Sequence, residues 1–385
     1  MTVLEGNYQI QAGLGRRTGV WLRRAIGLGI TLAIFLWMLR PIVGHWRQFE
    51  GRVELVSLGR VLAASLMFSL FLFAIRAMSW RRILIGFGHR LPVPAATRVW
   101  SSSELARYLP GVIWQVVGRV YLVRPYGVSG SVCSASQMLE LALFLLANIL
   151  LAVGCLVWLG VKTFHGVAQA WLLGAMALIP VLIVLVYPAI FYGITNQLLK
   201  RMGKPPILRR LRFRQLCVLL VWAVLGLAWQ SLAIWLIVSR PLGLQFTKWW
   251  VVAGAYSLAW CAGFLAVWAP GGIGVRELVF VTAMQIALPP RVRAAFSDPN
   301  VLMGFLAFLS VLLRLWATTG ELVLAGLAYA FDFRGALGRA DAPGRQNAML
   351  RMAAGKAELP REYGTAGDLP SSAASPPTPP ATVPK

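Results

Sequence analysis

Long apolar stretches dominate the chain and alternate with short polar connections. Seven of them approach or exceed the roughly 20 residues that a helix needs to cross a bilayer. They run from Ala25 to Leu39 (extendable to Val43), Leu58 to Ile75, Ser131 to Leu159, Val167 to Tyr192, Leu216 to Val238, Trp249 to Ala269 and Val301 to Phe331. An eighth stretch, Leu278 to Leu288, is shorter and ambiguous. The pattern predicts an all-α polytopic integral membrane protein with seven to eight transmembrane helices.

Composition supports this class and limits where function can reside. Hydrophobic residues make up 58% of the 385 residues and charged residues only 13%, which lies outside the range of soluble domains. From Asp332 onward Ala, Gly, Pro, Ser and Thr replace the apolar pattern, so residues 332–385 are predicted to be a disordered C-terminal tail. The tail is too short and polar for a catalytic domain. Function is therefore expected in the transmembrane domain, residues 1–331.

The formal net charge of +24 reflects basic connections between apolar stretches. A nucleic-acid partner is not expected, because confinement to short loops is the orientation signal of membrane proteins. Two connections hold only basic residues and no acid, and they are predicted to face the cytoplasm with the N-terminus and the tail. Their basic residues are Arg76, Arg81, Arg82, Arg90 and Arg98 in the first, and Lys200, Arg201, Lys204, Arg209, Arg210, Arg212 and Arg214 in the second.

The sequence offers no expected cofactor site. The four cysteines lie in or at the edge of apolar stretches without metal-type spacing, and the three histidines are scattered. No Gly-rich phosphate loop ending in Lys-Ser or Lys-Thr is present, so ATP is not the expected energy source. A proton, ion or lipid gradient remains as the alternative.

Two Pro-Gly pairs are the most informative local feature. The first is Tyr108-Leu-Pro110-Gly111, which is followed by Arg119. The second is Trp268-Ala-Pro270-Gly271-Gly272, which is followed by Arg276. The two prolines are 160 positions apart. Proline ends or kinks a helix and glycine permits the sharp turn that follows, so each segment predicts a broken or re-entrant helix. The match predicts an internal repeat, although coincidence is an alternative in a chain with 37 glycines and 22 prolines.

Such helix breaks favour anion binding. The first N–H groups of the helix after each break lack intrahelical partners and carry partial positive charge. Arg119 and Arg276 would add planar guanidinium groups suited to a phosphate or carboxylate. Paired broken helices in corresponding halves are also the sequence feature that best marks a transport site. We therefore predict an anion site formed by both breaks, with Gly274 in the second.

The remaining charged residues of the apolar stretches admit two interpretations. Glu104 and Arg107 are three residues apart and could pair on one helical face. Arg314 and Glu321 are seven apart, too far along a helix to pair, so each needs a partner elsewhere. Glu140 and Glu277 are the suggested partners of Arg314, and Glu140 continues a polar stripe with Gln137 and Asn148. Structural ion pairs and a polar path for a headgroup remain equally open.

A longer match extends these observations. The string Ser103-Glu104-Leu-Ala-Arg107-Tyr108-Leu-Pro110-Gly111-Val-Ile-Trp114-Gln-Val-Val-Gly118-Arg119-Val-Tyr121-Leu, with the later Pro270-Gly-Gly-Ile-Gly274-Val-Arg276-Glu277, resembles the lysylphosphatidylglycerol synthase transmembrane-region family, also described as flippase-like. The resemblance covers nearly the whole membrane portion, up to about Phe331. It implies a bacterial-type cytoplasmic membrane and lipid translocation, with Arg119, Arg276 and Glu277 along the lipid path. Aminoacyl transfer is not implied, because the tail cannot be the family's soluble synthase domain.

The leading hypothesis is a lipid translocator that moves a phospholipid or lipid-linked intermediate, with an anionic or phosphate-bearing headgroup, between leaflets. Its predicted path is lined by Arg107, Pro110, Gly111, Arg119, Glu140, Pro270, Gly271, Gly272, Gly274, Arg276, Glu277, Arg314 and Glu321. The alternative is a membrane-embedded enzyme or an accessory subunit in glycolipid or phospholipid synthesis, associated with a glycosyltransferase. A catalytic role is the weaker hypothesis, because no paired acidic motif faces the cytoplasm. A lipid-synthesis enzyme is a further candidate partner, and no oligomeric state is predicted.

Overall fold

The computed structural model describes residue 36 and residues 40–48, 50–108, 113–157, 167–266, 269–296 and 298–331. Within these ranges the chain forms helices and connecting turns and contains no strand, which confirms the all-α prediction. The predicted tail, 332–385, lies outside the described residues, as do Pro110 and Gly111 at the first Pro-Gly pair. The disorder of the C-terminal tail therefore stays a prediction.

Eleven helices with defined bounds are described here as α1 to α11. They are α1 (Leu58–Gly86), α2 (Val93–Leu105), α3 (Ile113–Val123), α4 (Gly130–Val157), α5 (Val167–Val186), α6 (Pro188–Arg201), α7 (Phe213–Leu242), α8 (Trp249–Leu265), α9 (Val275–Ala287), α10 (Pro290–Ala294) and α11 (Pro299–Phe331). Short 3-10 turns span Ala106–Tyr108, Arg124–Tyr126, Phe246–Lys248 and Pro270–Gly272. Residues 40–48 and 50–53 are also helical.

Four of these helices are long and apolar enough to cross a membrane: α1, α4, α7 and α11. The chain is thus a multi-pass membrane protein. The seven to eight spans predicted from the sequence are not confirmed, because only these four helices meet both criteria among the described residues. The segment Leu278 to Leu288 is helical up to Ala287, where the 13-residue α9 ends, and a helix of this length is too short to cross alone.

Proline and glycine set several helix boundaries. Pro188 begins α6 directly after α5, so the predicted span from Val167 to Tyr192 is two helices. Gly243, with φ of 65°, ends α7 in the left-handed conformation.

The first predicted basic loop is partly wrong. Helix α1 does not end at Ile75 and continues through Arg76, Arg81 and Arg82 to Gly86.

Two helical hairpins position the polar residues. In the first, α2 packs against α3 across the turn that includes Ala106–Tyr108, and in the second, α8 packs against α9 across the Pro270–Gly272 turn. The two turns contact each other. Helix α11 packs against α2 and α9, and α4 packs against α3 and α8. The Ala106–Tyr108 turn, which precedes the first Pro-Gly pair, therefore lies next to the second turn, between long helices. The anion site formed by both breaks stays a prediction.

The second turn depends on glycine. Gly271, Gly272 and Gly274 all have positive φ, at 59°, 70° and 85°. A Cβ atom at Gly272 would lie 2.6 Å from the carbonyl oxygen of Gly263 on α8. Glycine is needed at this turn for both its backbone conformation and the close approach of α8. The predicted break at the second Pro-Gly pair is thereby confirmed.

Candidate functional site

Six charged side chains form a continuous series of ion pairs between the hairpins and the long helices. Glutamates and arginines alternate along it, so its charges cancel. We call this series the ion-pair chain. In order, its members are Arg76, Glu140, Arg119, Glu104, Arg107 and Glu321.

Arg119 is the most enclosed member, with only 1% of its surface exposed. Its Nη1 donates to Glu140 Oε2 and its Nη2 to Glu104 Oε1, both at 2.6 Å. Its Nε donates to Ser103 Oγ at 2.8 Å. Every guanidinium nitrogen therefore already donates to an oxygen of the protein. Arg119 joins α2, α3 and α4 and has no nitrogen left without a partner for a ligand.

Glu104 and Glu140 are equally committed. Glu104 Oε2 pairs with Arg107 Nη1 at 3.1 Å, so the structural pairing that the sequence leaves open is present. Its Oε1 also accepts from Gln115 Nε2 at 2.5 Å. Glu140 Oε1 pairs with Arg76 Nη1 at 3.3 Å and accepts from Trp100 Nε1 at 3.0 Å. Both carboxylates are removed from water, and these donors compensate for the free-energy cost of burying them.

The first hairpin turn is attached to α11 through Glu321. Arg107 Nη2 is hydrogen-bonded to Glu321 Oε1, and Tyr108 Oη donates to Glu321 Oε2 at 3.0 Å. Tyr108 Oη also lies 3.1 Å from Thr318 Oγ1 on the same helix. The prediction that Glu321 needs a partner on another helix is confirmed. We call this contact between the turn and α11 the hairpin latch.

Arg276 and Arg314 are placed differently from the ion-pair chain. Arg314 Nη2 donates to the carbonyl oxygen of Gly271 at 2.8 Å. The Arg276 guanidinium lies over the ring of Tyr256 at 4.7 Å. No ion pair joins either arginine to another described residue. We call these two residues the arginine pair.

Neither suggested acidic partner forms an ion pair with Arg314, although Glu277 lies close enough to interact with its charge. Glu140 is held by Arg76 and Arg119, and Glu277 accepts a hydrogen bond from the backbone N–H of Gly274 at 2.6 Å. Glu277 lies three residues after Gly274, so its carboxylate caps the start of its own helix, α9. The N–H of Gly274 is consequently already used by the protein and is not open to an external anion.

Two small cavities adjoin at the arginine pair. One of about 20 Å³ is lined by Tyr256, Arg276, Glu277 and Arg314, among others. The other, of about 30 Å³, is lined by the arginine pair together with Arg76, Glu104, Arg107 and Glu321. Volumes of this size hold one or a few water molecules. In this conformation neither cavity is large enough for a lipid headgroup.

The comparisons with known proteins agree with the architecture. The family model of the lysylphosphatidylglycerol synthase TM region matches residues 24–308, which include both hairpins and most of the ion-pair chain. The chain belongs to this family. No curated protein and no solved structure matches it. Membership indicates a membrane protein of lipid metabolism or transport.

The predicted site residues of this family member fall into three groups. Arg107, Arg119, Glu140 and Glu321 belong to the ion-pair chain. Gly271, Gly272 and Gly274 form the second turn with the backbone of Pro270, and Arg276, Glu277 and Arg314 line the cavities beside it. Pro110 and Gly111 lie outside the described residues. The polar stripe of Gln137, Glu140 and Asn148 is buried within the protein.

Sequence reasoning missed Arg76, the first member of the ion-pair chain. It lies in a π-helical turn of α1, Phe71–Ala77, and its guanidinium sits 3.8 Å over the ring of Phe144. A basic residue at the end of an apolar stretch is usually a loop residue, and Arg81 and Arg82 nearby strengthen that impression. The sequence signal that could have identified Arg76 is the presence of two acids, Glu104 and Glu140, in segments predicted to be buried. Two buried carboxylates need several cations as partners, more than Arg107 and Arg119 alone.

Proposed function

We propose that this protein is a lipid translocator of the cytoplasmic membrane, in which a phosphate-bearing headgroup crosses beside the two hairpin turns. The N-terminus and the tail are assigned to the cytoplasmic side. Lipid tails stay in the bilayer while the headgroup passes polar groups of the protein, which lowers the cost of desolvating it. The predicted path residues are the proposed lining of this route, and an enzyme of lipid synthesis is the proposed source or recipient of the lipid.

The arginine pair carries this proposal. A positive charge at membrane depth is costly unless a counter-charge or a wet cavity stabilises it. Arg119 and Arg107 form ion pairs with carboxylates, whereas no described ion pair involves Arg276 or Arg314. Arg276 lies over the ring of Tyr256, and Arg314 lies over the ring of Tyr108 and donates to the carbonyl oxygen of Gly271. Two neighbouring guanidinium groups share Glu277 as the acidic residue of their cavity, so one positive charge is left over and is suited to a reversibly bound anion. The ion-pair chain is the scaffold that holds the hairpins around them.

Because the cavities are small, the proposed transport requires movement of the helices that line them. At about 30 Å³, the larger cavity must expand before it can accept a headgroup. The hairpin latch is the contact that we assign to this step, because it joins the first hairpin turn to α11 across the cavity wall. Release of Arg107 and Tyr108 from Glu321 would free the first hairpin turn from α11, while α2 would still pack against that helix.

Reconstitution in liposomes with acyl-labelled fluorescent lipids tests the proposal. Lipid that reaches the outer leaflet is bleached by a membrane-impermeant reductant, so the bleached fraction reports translocation. We expect Arg276→Ala to lower the rate about tenfold or more, as the loss of a charge-assisted contact of about 1.5 kcal/mol would. Arg119→Ala is expected to reduce the yield of folded protein first, because it leaves Glu104 and Glu140 short of a cation.

Arg293→Gln is the matched control. Arg293 is exposed on α10 and lines neither cavity, so its loss removes an arginine without altering the site. Its translocation rate should equal that of the unmodified protein. The proposal is abandoned if, for every headgroup tried, lipid moves no faster than in protein-free vesicles.

A further inference from the structure

The charges around the cavities do not cancel. Five arginines and four glutamates belong to the ion-pair chain or line the cavities beside the arginine pair, which leaves a net charge of +1. The ion-pair chain is neutral by itself, so the excess comes from Arg276, Arg314 and Glu277. A cluster of this kind is stabilised most by a ligand that carries one negative charge.

The carboxylates are all occupied by donors from the protein. Glu104, Glu140 and Glu321 each pair with at least one arginine, and Glu277 accepts from the N–H of Gly274. No other Asp or Glu is present between positions 55 and 297 of the chain. A cationic group on a ligand would therefore find no free carboxylate among the described residues at the site. It would also face Arg276 and Arg314, which line both cavities.

We propose that the site selects a headgroup with a single phosphodiester charge and no cationic group, with the phosphate between Arg276 and Arg314. This inference rests on the proposed translocator function and adds its charge selectivity. It distinguishes the chain from a carrier of aminoacylated lipids, because the ammonium groups of such a headgroup would meet like charges. Tyr256, against which Arg276 stacks, closes one side of the site.

Four acyl-labelled lipids separate the charge classes in the same vesicle assay. Phosphatidylglycerol carries one negative charge, phosphatidylethanolamine is zwitterionic, lysyl-phosphatidylglycerol has a net positive charge, and phosphatidic acid carries between one and two negative charges near neutral pH. We expect phosphatidylglycerol to move fastest and lysyl-phosphatidylglycerol about tenfold more slowly. Equal or faster movement of the lysyl lipid would overturn the selectivity and leave the translocator function intact. Failure of all four lipids to move would instead overturn the proposed function.

Glu277→Gln changes the charge of the site with little change in shape. The amide oxygen can still accept from the N–H of Gly274, so the start of α9 is kept while the net charge rises by one. The rate for phosphatidic acid relative to phosphatidylglycerol should increase about threefold or more. An unchanged ratio in folded Glu277→Gln protein would contradict the charge argument.

Two substitutions of Arg314 test whether this residue binds the phosphate of the headgroup. Arg314→Lys keeps the charge and loses the planar fork, so it should retain the preference for phosphatidylglycerol at a lower rate. Arg314→Gln should lose the preference, whereas the exposed control Arg293→Gln should keep both rate and preference. Preference retained in folded Arg314→Gln protein would remove this residue from the site.

A free phosphate compound could supply the same chemistry as a lipid headgroup. The same vesicles are therefore tested for uptake of radiolabelled inorganic phosphate and of glycerophosphoglycerol, the soluble headgroup of phosphatidylglycerol. We expect no uptake above protein-free vesicles, and slowing of phosphatidylglycerol movement by glycerophosphoglycerol. Uptake of either soluble compound would overturn the assignment to a lipid headgroup.

Discussion

Arg119 and Glu140 form the centre of the ion-pair chain, with Nη1 and Oε2 separated by 2.6 Å and both residues at least 96% buried. The two residues come from α3 and α4, so their contact fixes the first hairpin to a long helix. The carboxylate is shared with Arg76 of α1. Loss of one partner leaves buried charges unpaired, and such losses are more costly than loss of an exposed pair.

Glu140→Gln is expected to destabilise the protein by about 3 to 5 kcal/mol, because Arg76 and Arg119 would then share only Glu104 as a nearby carboxylate. Titration with a denaturing detergent, followed by circular dichroism, measures the change. Glu54→Gln is the control, since Glu54 is exposed and its loss should change stability by no more than about 0.5 kcal/mol. Equal stability of the two variants would show that the ion-pair chain contributes nothing to the fold.

The sequence predicted the helix class and the second helix break, and it identified most of the charged residues that meet at the hairpins. Apolar periodicity and Pro-Gly chemistry are local, so they can be read from a single chain. Ion-pair partners are not local. The sequence suggests Glu140 and Glu277 as partners of Arg314, but the packing of α1 and α3 against α4 places Glu140 beside Arg76 and Arg119 instead.

Helix limits were less predictable for a related reason. Arg76 follows an apolar stretch and has the sequence context of a loop residue, yet buried Glu140 provides its counter-charge and α1 continues for another ten residues to Gly86. Whether a charged residue ends a span depends on a partner that is 64 positions away in the sequence. No local pattern contains that information.

Tyr108→Phe tests the hairpin latch. The variant removes the hydroxyl that donates to Glu321 and keeps the ring beside Gly271, so it should destabilise the contact by about 1 kcal/mol. A double-mutant cycle with Glu321→Gln should show coupling of at least about 0.5 kcal/mol in detergent unfolding. Tyr121→Phe, at an exposed tyrosine of α3, should show no coupling to Glu321→Gln. Additive effects of Tyr108→Phe and Glu321→Gln would mean that the hydroxyl does not hold the turn.

Gly226→Ala probes how α7 supports the π-helical turn that carries Arg76. A Cβ at Gly226 would lie 2.5 Å from Cγ2 of Ile75, the residue before Arg76. Overpacking of this kind costs about 1 to 3 kcal/mol, so the variant should unfold at a lower detergent concentration. Gly154→Ala on α4 is the control, because no atom lies within 4 Å of its Cβ position. Alanine there should stabilise the helix by about 0.5 to 1 kcal/mol, and destabilisation of both variants alike would exclude the packing explanation.

Gly272→Ala tests whether the second turn needs close contact as well as a left-handed backbone. Gly272 has a positive φ of 70°, which strains the backbone of any residue with a side chain. An alanine Cβ there would also lie 2.6 Å from the carbonyl oxygen of Gly263, closer than van der Waals contact allows. Gly203→Ala separates the two effects. Gly203 has a similar φ of 65° but no atom within 4 Å of its Cβ position. Gly203→Ala should therefore cost about 1 to 2 kcal/mol, the strain alone.

Gly272→Ala should cost more than Gly203→Ala by about 1 to 3 kcal/mol, the range for an overpacked contact. Because the turn carries the Gly271 carbonyl that Arg314 binds, folded Gly272→Ala protein should also translocate lipid more slowly than Gly203→Ala protein. Detergent unfolding and the vesicle assay measure the two effects on the same preparations. If both variants lose the same stability and retain the same rate, close packing of the turn against α8 is not required for function.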